Sequence, residues 1–241
     1  MPKQYFDCMR PRQGDKEQLA KGTSDKFHTE VTGMILRSVP IGEYDRRVEI
    51  LTRERGRISC FASGARRPGS PLMASAQLFV FGRFKIYEGR SANRIAEARV
   101  DNYFEHIRTD ISAACYGNYF MEVLNFVTRE NNDESALLIL AYQSLRALES
   151  PAFDNKLVRA VFELKTIMIE GEYPGPQHGK PFLPATLRTL DFLWNTPPAG
   201  IYKFTVSEEV LAELARFAQE LCARTFRYEF KSLAILSVLD G

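Results

Sequence analysis

Arg66 and Arg67 stand side by side in FASGARRPGSP (61–71), between the small residues Ala62, Ser63, Gly64 and Ala65 and a Pro-Gly-Ser turn. Small residues let a backbone approach a ligand closely, and guanidinium forks present donors that match phosphate oxygens. The chemistry on offer is phosphate binding; the plainer alternative is a solvated surface turn. A second group lies in FVFGRFKIY (79–87). Strand alternation puts Phe79, Phe81, Arg83, Lys85 and Tyr87 on one face and Val80, Gly82, Phe84 and Ile86 on the other. Rings interleaved with cations suit a single-strand platform, where rings stack on bases and cations hold the backbone. The competing reading turns Phe79 and Phe81 toward a second core, with Arg83 and Lys85 at its edge. On the neighbouring hairpin Arg47 shares a face with Leu51, and Arg57 with Phe61, which repeats the basic-plus-apolar theme. Arg37 and Arg46 complete the candidate nucleic-acid-binding set.

Catalytic chemistry finds little to work with. His28, His106 and His178 have no metal-ligand spacing to one another, and no GxxxxGK[ST], GxSxG or GxGxxG motif occurs. Aspartates and glutamates are scattered rather than clustered for two-metal work. Cys8, Cys60, Cys115 and Cys222 form no C-x-x-C pair, so they read as reduced thiols. The expectation is a binding protein, not an enzyme, with no catalytic residue, metal or cofactor.

Charge is unevenly distributed. Residues 29–108 hold 14 Lys and Arg against 9 Asp and Glu, a balance of +5, and 109–241 hold 12 against 17, a balance of −5, so the overall +2 conceals two regions of opposite charge. A basic half points to a polyanion. No apolar run approaches the ~18 residues of a membrane span, and the N-terminus carries no signal-peptide core. A cytoplasmic protein without membrane contact is the expectation.

The elements that must position these residues fall into two regions. Residues 1–28 read as a flexible polar arm. From 29 to 108, about five short strands with hairpin turns fit a five-stranded Greek-key barrel of the OB type. Gly56 supplies the turn between RRVEILT and RISCFA. From 109 to 241 the period becomes helical, with Asp133, Asp154 and Ser207 as helix-capping residues and Gly171 with Pro174 as a stop. The fold class is α+β, a barrel followed by an all-helical domain.

The stretch GMILRSVPIGEYDRRVEILTRERGRISCFASGARRPGS (33–70) resembles the RecO family of bacterial recombination mediators. The resemblance rests on the Gly42-Glu43-Tyr44-Asp45 turn, the Leu51-Thr52 to Gly56 hairpin and Gly64-Ala65-Arg66-Arg67 followed by Ser70. It returns at Phe230-Lys231-Ser232-Leu233. It implies an OB barrel with a helical domain, single- and double-stranded DNA binding, strand annealing, and help in loading the RecA recombinase onto DNA coated by single-strand-binding protein, with RecR as partner. It also implies that the acidic, Phe-ending tail of single-strand-binding protein docks on the helical domain. Arg129, Arg146, Arg159 and Lys165 are the cations available there. The alternative class is a protein–protein adaptor whose barrel binds no nucleic acid.

Two positions depart from the family pattern. Ser63 precedes the Gly-Ala-Arg-Arg run where a basic residue is common, and GPQHGKP (175–181) stands where many members carry a four-cysteine zinc module. That module is absent or degenerate here, since four ligands are the norm for structural zinc and the region after Gly171 offers His178 and carboxylates. Metal analysis of the purified protein is expected to find no stoichiometric zinc. One zinc per chain surviving dialysis would overturn this.

Overall fold

The computed structural model describes residues 28–89, 92–176 and 182–239. The arm up to residue 27, and His178 with most of its loop, lie outside them. Five strands form a closed barrel in the order β1-β2-β3-β5-β4. They are β1 (His28–Ile41), β2 (Asp45–Thr52), β3 (Gly56–Ala62), β4 (Phe81–Glu88) and β5 (Asn93–Asn102). β4 returns to pair with β1, and the one parallel seam joins β3 to β5. This is the OB-type order expected.

Inward positions follow the period of two. Val31, Ile35, Val48, Ile50, Ile58, Cys60, Phe84 and Ile86 fill the barrel. A short helix, α1 (Leu72–Ser75), follows the Arg66–Arg67 loop and adds Leu72 and Ala76 to that core. Four residues make one turn of helix, too little to establish a period.

Seven further helices follow: α2 (Glu105–Thr109), α3 (Ile111–Val127), α4 (Ser135–Leu148), α5 (Asn155–Ile169), α6 (Pro184–Asn195), α7 (Glu208–Phe226) and α8 (Lys231–Leu239). Local chemistry sets several ends. Asp154 Oδ1 accepts from Lys156 N at 2.7 Å and Asp110 Oδ1 from Ala113 N at 3.0 Å, each satisfying a first-turn donor. Asp133 Oδ1 accepts from Ser135 N at 3.1 Å, one residue ahead of the α4 cap at Glu134. Ser207 holds the cap position of α7 without a capping bond from its side chain. Glu122 on α3 starts α8, its carboxylate accepting from the backbone of Lys231 and Ser232 and from the Ser232 hydroxyl.

The helices pack on one end of the barrel's outer face. Met34, Leu36, Leu51, Phe79 and Phe81 belong to the helical core rather than to the barrel core. Phe81 is 3 % exposed and meets the Tyr142 ring of α4 edge-on, with centroids 4.9 Å apart. Phe79 adopts a left-handed backbone (φ 71°) just before β4 and packs against Gly117, where an added Cβ would lie 3.1 Å from its ring. Phe81 is therefore not a base-stacking residue, and the second-core reading of Phe79 and Phe81 holds. Period-two alternation separates inside from outside, but it does not reveal which part of the outside another element covers.

The β2–β3 hairpin locks to the helices through its tip. Arg57 N donates to Arg129 O at 2.9 Å and Asn131 N to Arg55 O at 2.9 Å. Gly56 lies between them at φ +64°, where a Cβ would fall 2.2 Å from Arg129 O. Absence of a side chain is what permits this approach. Phe81→Ala should lower stability by about 3–5 kcal/mol, the usual cost of emptying an aromatic core site. Denaturant unfolding checks it. A variant as stable as the parent would return Phe81 to the surface.

Candidate nucleic-acid interface

The strand register arranges the outward side chains in rows around the barrel. One row runs Val39, Arg47, Phe61, Arg94, Tyr87 and His28, crossing β1, β2, β3, β5, β4 and β1 again. Arg47, Arg94, Tyr87 and His28 are exposed and Phe61 is half-buried. His28 and Tyr87 meet edge-on with centroids 5.5 Å apart. Arg47 Nε donates to Ser59 Oγ at 3.0 Å and leaves the side chain 53 % exposed. Next along β4, Lys85 is half-buried and Arg83 exposed. Cations and rings thus alternate across several strands, not along one alone.

The Arg66–Arg67 loop sits at the end of this row, since β3 passes from Phe61 and Ala62 directly into it. The turn between β1 and β2 holds it. Gly64 N donates to Asp45 Oδ1 at 2.7 Å, and Arg66 N to Tyr44 O at 2.8 Å. Arg66 Nη1 donates to Gly42 O at 3.1 Å, and the Arg67 guanidinium lies 4.8 Å from the Tyr44 ring centroid. Both arginines remain exposed. Each keeps free fork positions, because a guanidinium has five N–H donors.

Other candidates are spent on structure. Arg46 is half-buried and donates through Nη1 to Ser38 Oγ at 3.2 Å. Arg57 donates to Thr128 O at 3.2 Å, Asn125 Oδ1 at 3.4 Å and Glu49 Oε2 at 3.4 Å, bracing barrel to helices. Arg37 is exposed, but it lines a groove of about 960 Å³ between β1, α3 and α8 instead of the row. Arg94, Phe61 and Tyr44 carry the same character as the predicted residues without being singled out. The alternation of RIAEARV put Arg94 outward, and a register across strands would have joined it to Tyr87.

Three of the four candidate cations of the helical region are committed to internal bonds. Lys165 is buried, and Nζ donates to Leu193 O at 2.7 Å, closing the end of α6; burial pushes its pKa down. Arg159 Nε donates to buried Glu163 Oε1 at 2.9 Å, which also accepts from Tyr119 Oη at 2.7 Å. Burial opposes the Arg159 charge, but Glu163 beside it outweighs that and raises its pKa. Arg129 clamps the carbonyls of Phe126, Val127 and Thr128. Arg146 is exposed on α4. Lys165 is thus corrected from rim cation to buried brace, and Arg129 and Arg159 carry internal bonds.

Among the described residues no group of three His, Cys, Asp or Glu is placed to hold a metal ion, and no helix is long and apolar enough to cross a membrane. The Cys60 thiol is buried in the barrel and pushed up to about 12 by that burial, which makes it a poor nucleophile.

A closed OB-type barrel with arginines and rings on its outer face, buttressed by a helical body, places the chain in the class of OB-barrel proteins with an appended helical domain. Two family models match the chain: recombination protein O N terminal over residues 27–104, and recombination protein O C terminal over residues 108–174. The chain belongs to the recombination protein O (RecO) family. Curated relatives named DNA repair protein RecO include that of Acetivibrio thermocellus, 24 % identical over 88 % of this chain and 98 % of the relative. The protein of Halalkalibacterium halodurans is 29 % identical over 61 % of this chain and 58 % of its own. That of Listeria welshimeri is 31 % identical over 59 % of this chain and 55 % of its own.

Glu163→Ala would remove the buried carboxylate that pairs with Arg159 and accepts from the Tyr119 hydroxyl. A loss of about 3 kcal/mol in denaturant unfolding is expected, as when one partner of a buried ion pair is removed. A loss under about 1 kcal/mol, the range of surface pairs, would show the pair to be a dispensable surface contact.

Proposed function

We propose that this protein is a DNA-binding recombination mediator in DNA repair. It anneals strands and helps load the RecA recombinase onto DNA coated by single-strand-binding protein, together with RecR. The observation that carries the reading is the outward row Arg47–Phe61–Arg94–Tyr87, its arginines and tyrosine exposed, continuous with the Arg66–Arg67 loop. Guanidinium groups there grip phosphates, and rings at neighbouring positions stack on bases. Residues 29–108 serve as the DNA-binding unit and 109–241 as the partner-binding unit. Arg83 and Lys85 extend the cationic surface along β4, and no catalytic group takes part.

For the acidic, Phe-ending tail of single-strand-binding protein, the helical side offers a hollow of about 400 Å³ lined in part by Arg227, Phe230 and Leu233, with Arg159 paired to Glu163 in its wall and Glu229 beside them. An apolar slot with cations at its rim suits a terminal ring and its carboxylates. A synthetic tail peptide should bind the full-length protein and lose affinity without its terminal Phe.

Titration of labelled single-stranded DNA at several salt concentrations tests the DNA reading. Affinity should fall with salt, with a log–log slope of about −0.7 for each phosphate neutralised. Arg66→Ala with Arg67→Ala should weaken binding to all sequences and flatten that slope at unchanged thermal stability. Tyr87→Ala should cost about 1–3 kcal/mol per stacked base. Absent or salt-insensitive binding by the parent would favour the adaptor reading.

A further inference from the structure

Asp45 presents an electrostatic puzzle. It places a carboxylate beside the two arginines best placed to hold a polyanion, where simple charge counting says it should repel the ligand. Its geometry supplies the reason. Asp45 Oδ1 accepts the backbone N–H of Gly64 at 2.7 Å, two residues before Arg66, and Gly64 itself is left-handed at φ +69°. From that anchor the loop folds back on the β1–β2 turn. Arg66 N reaches Tyr44 O at 2.8 Å, Arg66 Nη1 reaches Gly42 O at 3.1 Å, and Arg67 lies over the Tyr44 ring. Within the loop Arg67 N donates to Gly64 O at 2.9 Å and Ser70 N to Arg67 O at 3.1 Å.

We propose that the Gly42–Asp45 turn is the positioning element of the phosphate grip, with Asp45 latching the loop and Tyr44 holding Arg67 in its bound orientation. The proposal rests on the DNA-binding reading and deepens it. An unrestrained arginine in a glycine-rich loop loses much rotamer and backbone freedom when it binds, and that loss weakens binding. Here the loop backbone is bonded on one side, and the two long side chains are each tethered at one point. The fork edges remain exposed, so the ordering is complete before DNA arrives. Neither Tyr44 nor Asp45 needs to touch the ligand for this.

The sign of one substitution separates positioning from charge. Asp45→Ala removes a negative charge, which by electrostatics alone strengthens DNA binding. Loss of the latch instead predicts weaker binding on the order of tenfold, comparable to one charge-assisted hydrogen bond, with a flatter salt slope. Asp45→Asn retains an oxygen acceptor for Gly64 N and should restore the parent's slope relative to Asp45→Ala. Tyr44→Ala, a change at a residue 41 % exposed, should weaken binding without lowering the melting temperature. It serves as the test should Asp45→Ala not fold. The measurement uses full-length protein and labelled oligothymidylate in a salt series, with Arg66→Ala/Arg67→Ala alongside. If the parent binds and the double arginine variant loses affinity, but folded Asp45→Ala or Tyr44→Ala binds as tightly as the parent with an unchanged slope, the proposal fails alone. If the parent itself shows no salt-dependent binding, the DNA reading fails and takes the proposal with it.

Discussion

The packing of Phe81 on Tyr142 decides how the rest of the molecule is used. Barrel closure leaves an outer face that repeats every second residue on every strand, and such a face must meet either water or another element. Met34, Leu51 and Phe81 at one end of β1, β2 and β4 are buried by the helices. Burial of apolar surface at about 25 cal/mol per Å² is ample reason for that docking. Arg47 and Tyr87, further along β2 and β4, and Phe61 and Arg94 on β3 and β5, remain outside the contact. One surface is thereby divided in two, an apolar seat and a cationic shelf.

A modest net charge of +2 conceals this division. The exposed arginines of the shelf are concentrated on the barrel, whereas several helical cations are internalised against carbonyls or Glu163. A cation paired with a carboxylate, as Arg159 is with Glu163, contributes little to the field outside, because its partner cancels it at a distance. The field a polyanion meets therefore comes from the barrel, and salt screens it over about 10 Å at 0.1 M. Contact, not long-range attraction, must govern what binds the net-acidic helical side.

Much of the fold was legible because it rests on local rules. The hairpin at Gly56, the alternation of Val80, Phe84 and Ile86, and the helix start at Asp154 all depend on neighbours in the chain. What escaped the sequence depends on partners far away. Phe81 and Arg83 look alike in alternation and differ in whether α4 lies above them. Lys165 and Arg159 read as helix-face charges, yet α5 is enclosed by other helices, so their cations turn inward to Leu193 O and Glu163. Phe79 broke the pattern through its backbone, since a left-handed residue there keeps β4 from starting before Phe81. Arg94 was hidden for another reason. Its place beside Tyr87 follows from cross-strand register, which one strand's sequence does not specify.

The five seams of the barrel are not equal. β3 and β5 join through Cys60 with Asn93 and Phe61 with Arg94, a far shorter pairing than the other four, and Asn93 Nδ2 adds a side-chain bond to Ser59 O at 3.4 Å. With so few bonds to break, this is where the cylinder most readily parts, while β1, held on both flanks over most of its length, stays shut. Amide hydrogens along this seam accordingly exchange with solvent ahead of those in the β1–β2 ladder. That seam runs beneath Phe61 and Arg94, so any opening of it would change the spacing between ring and guanidinium.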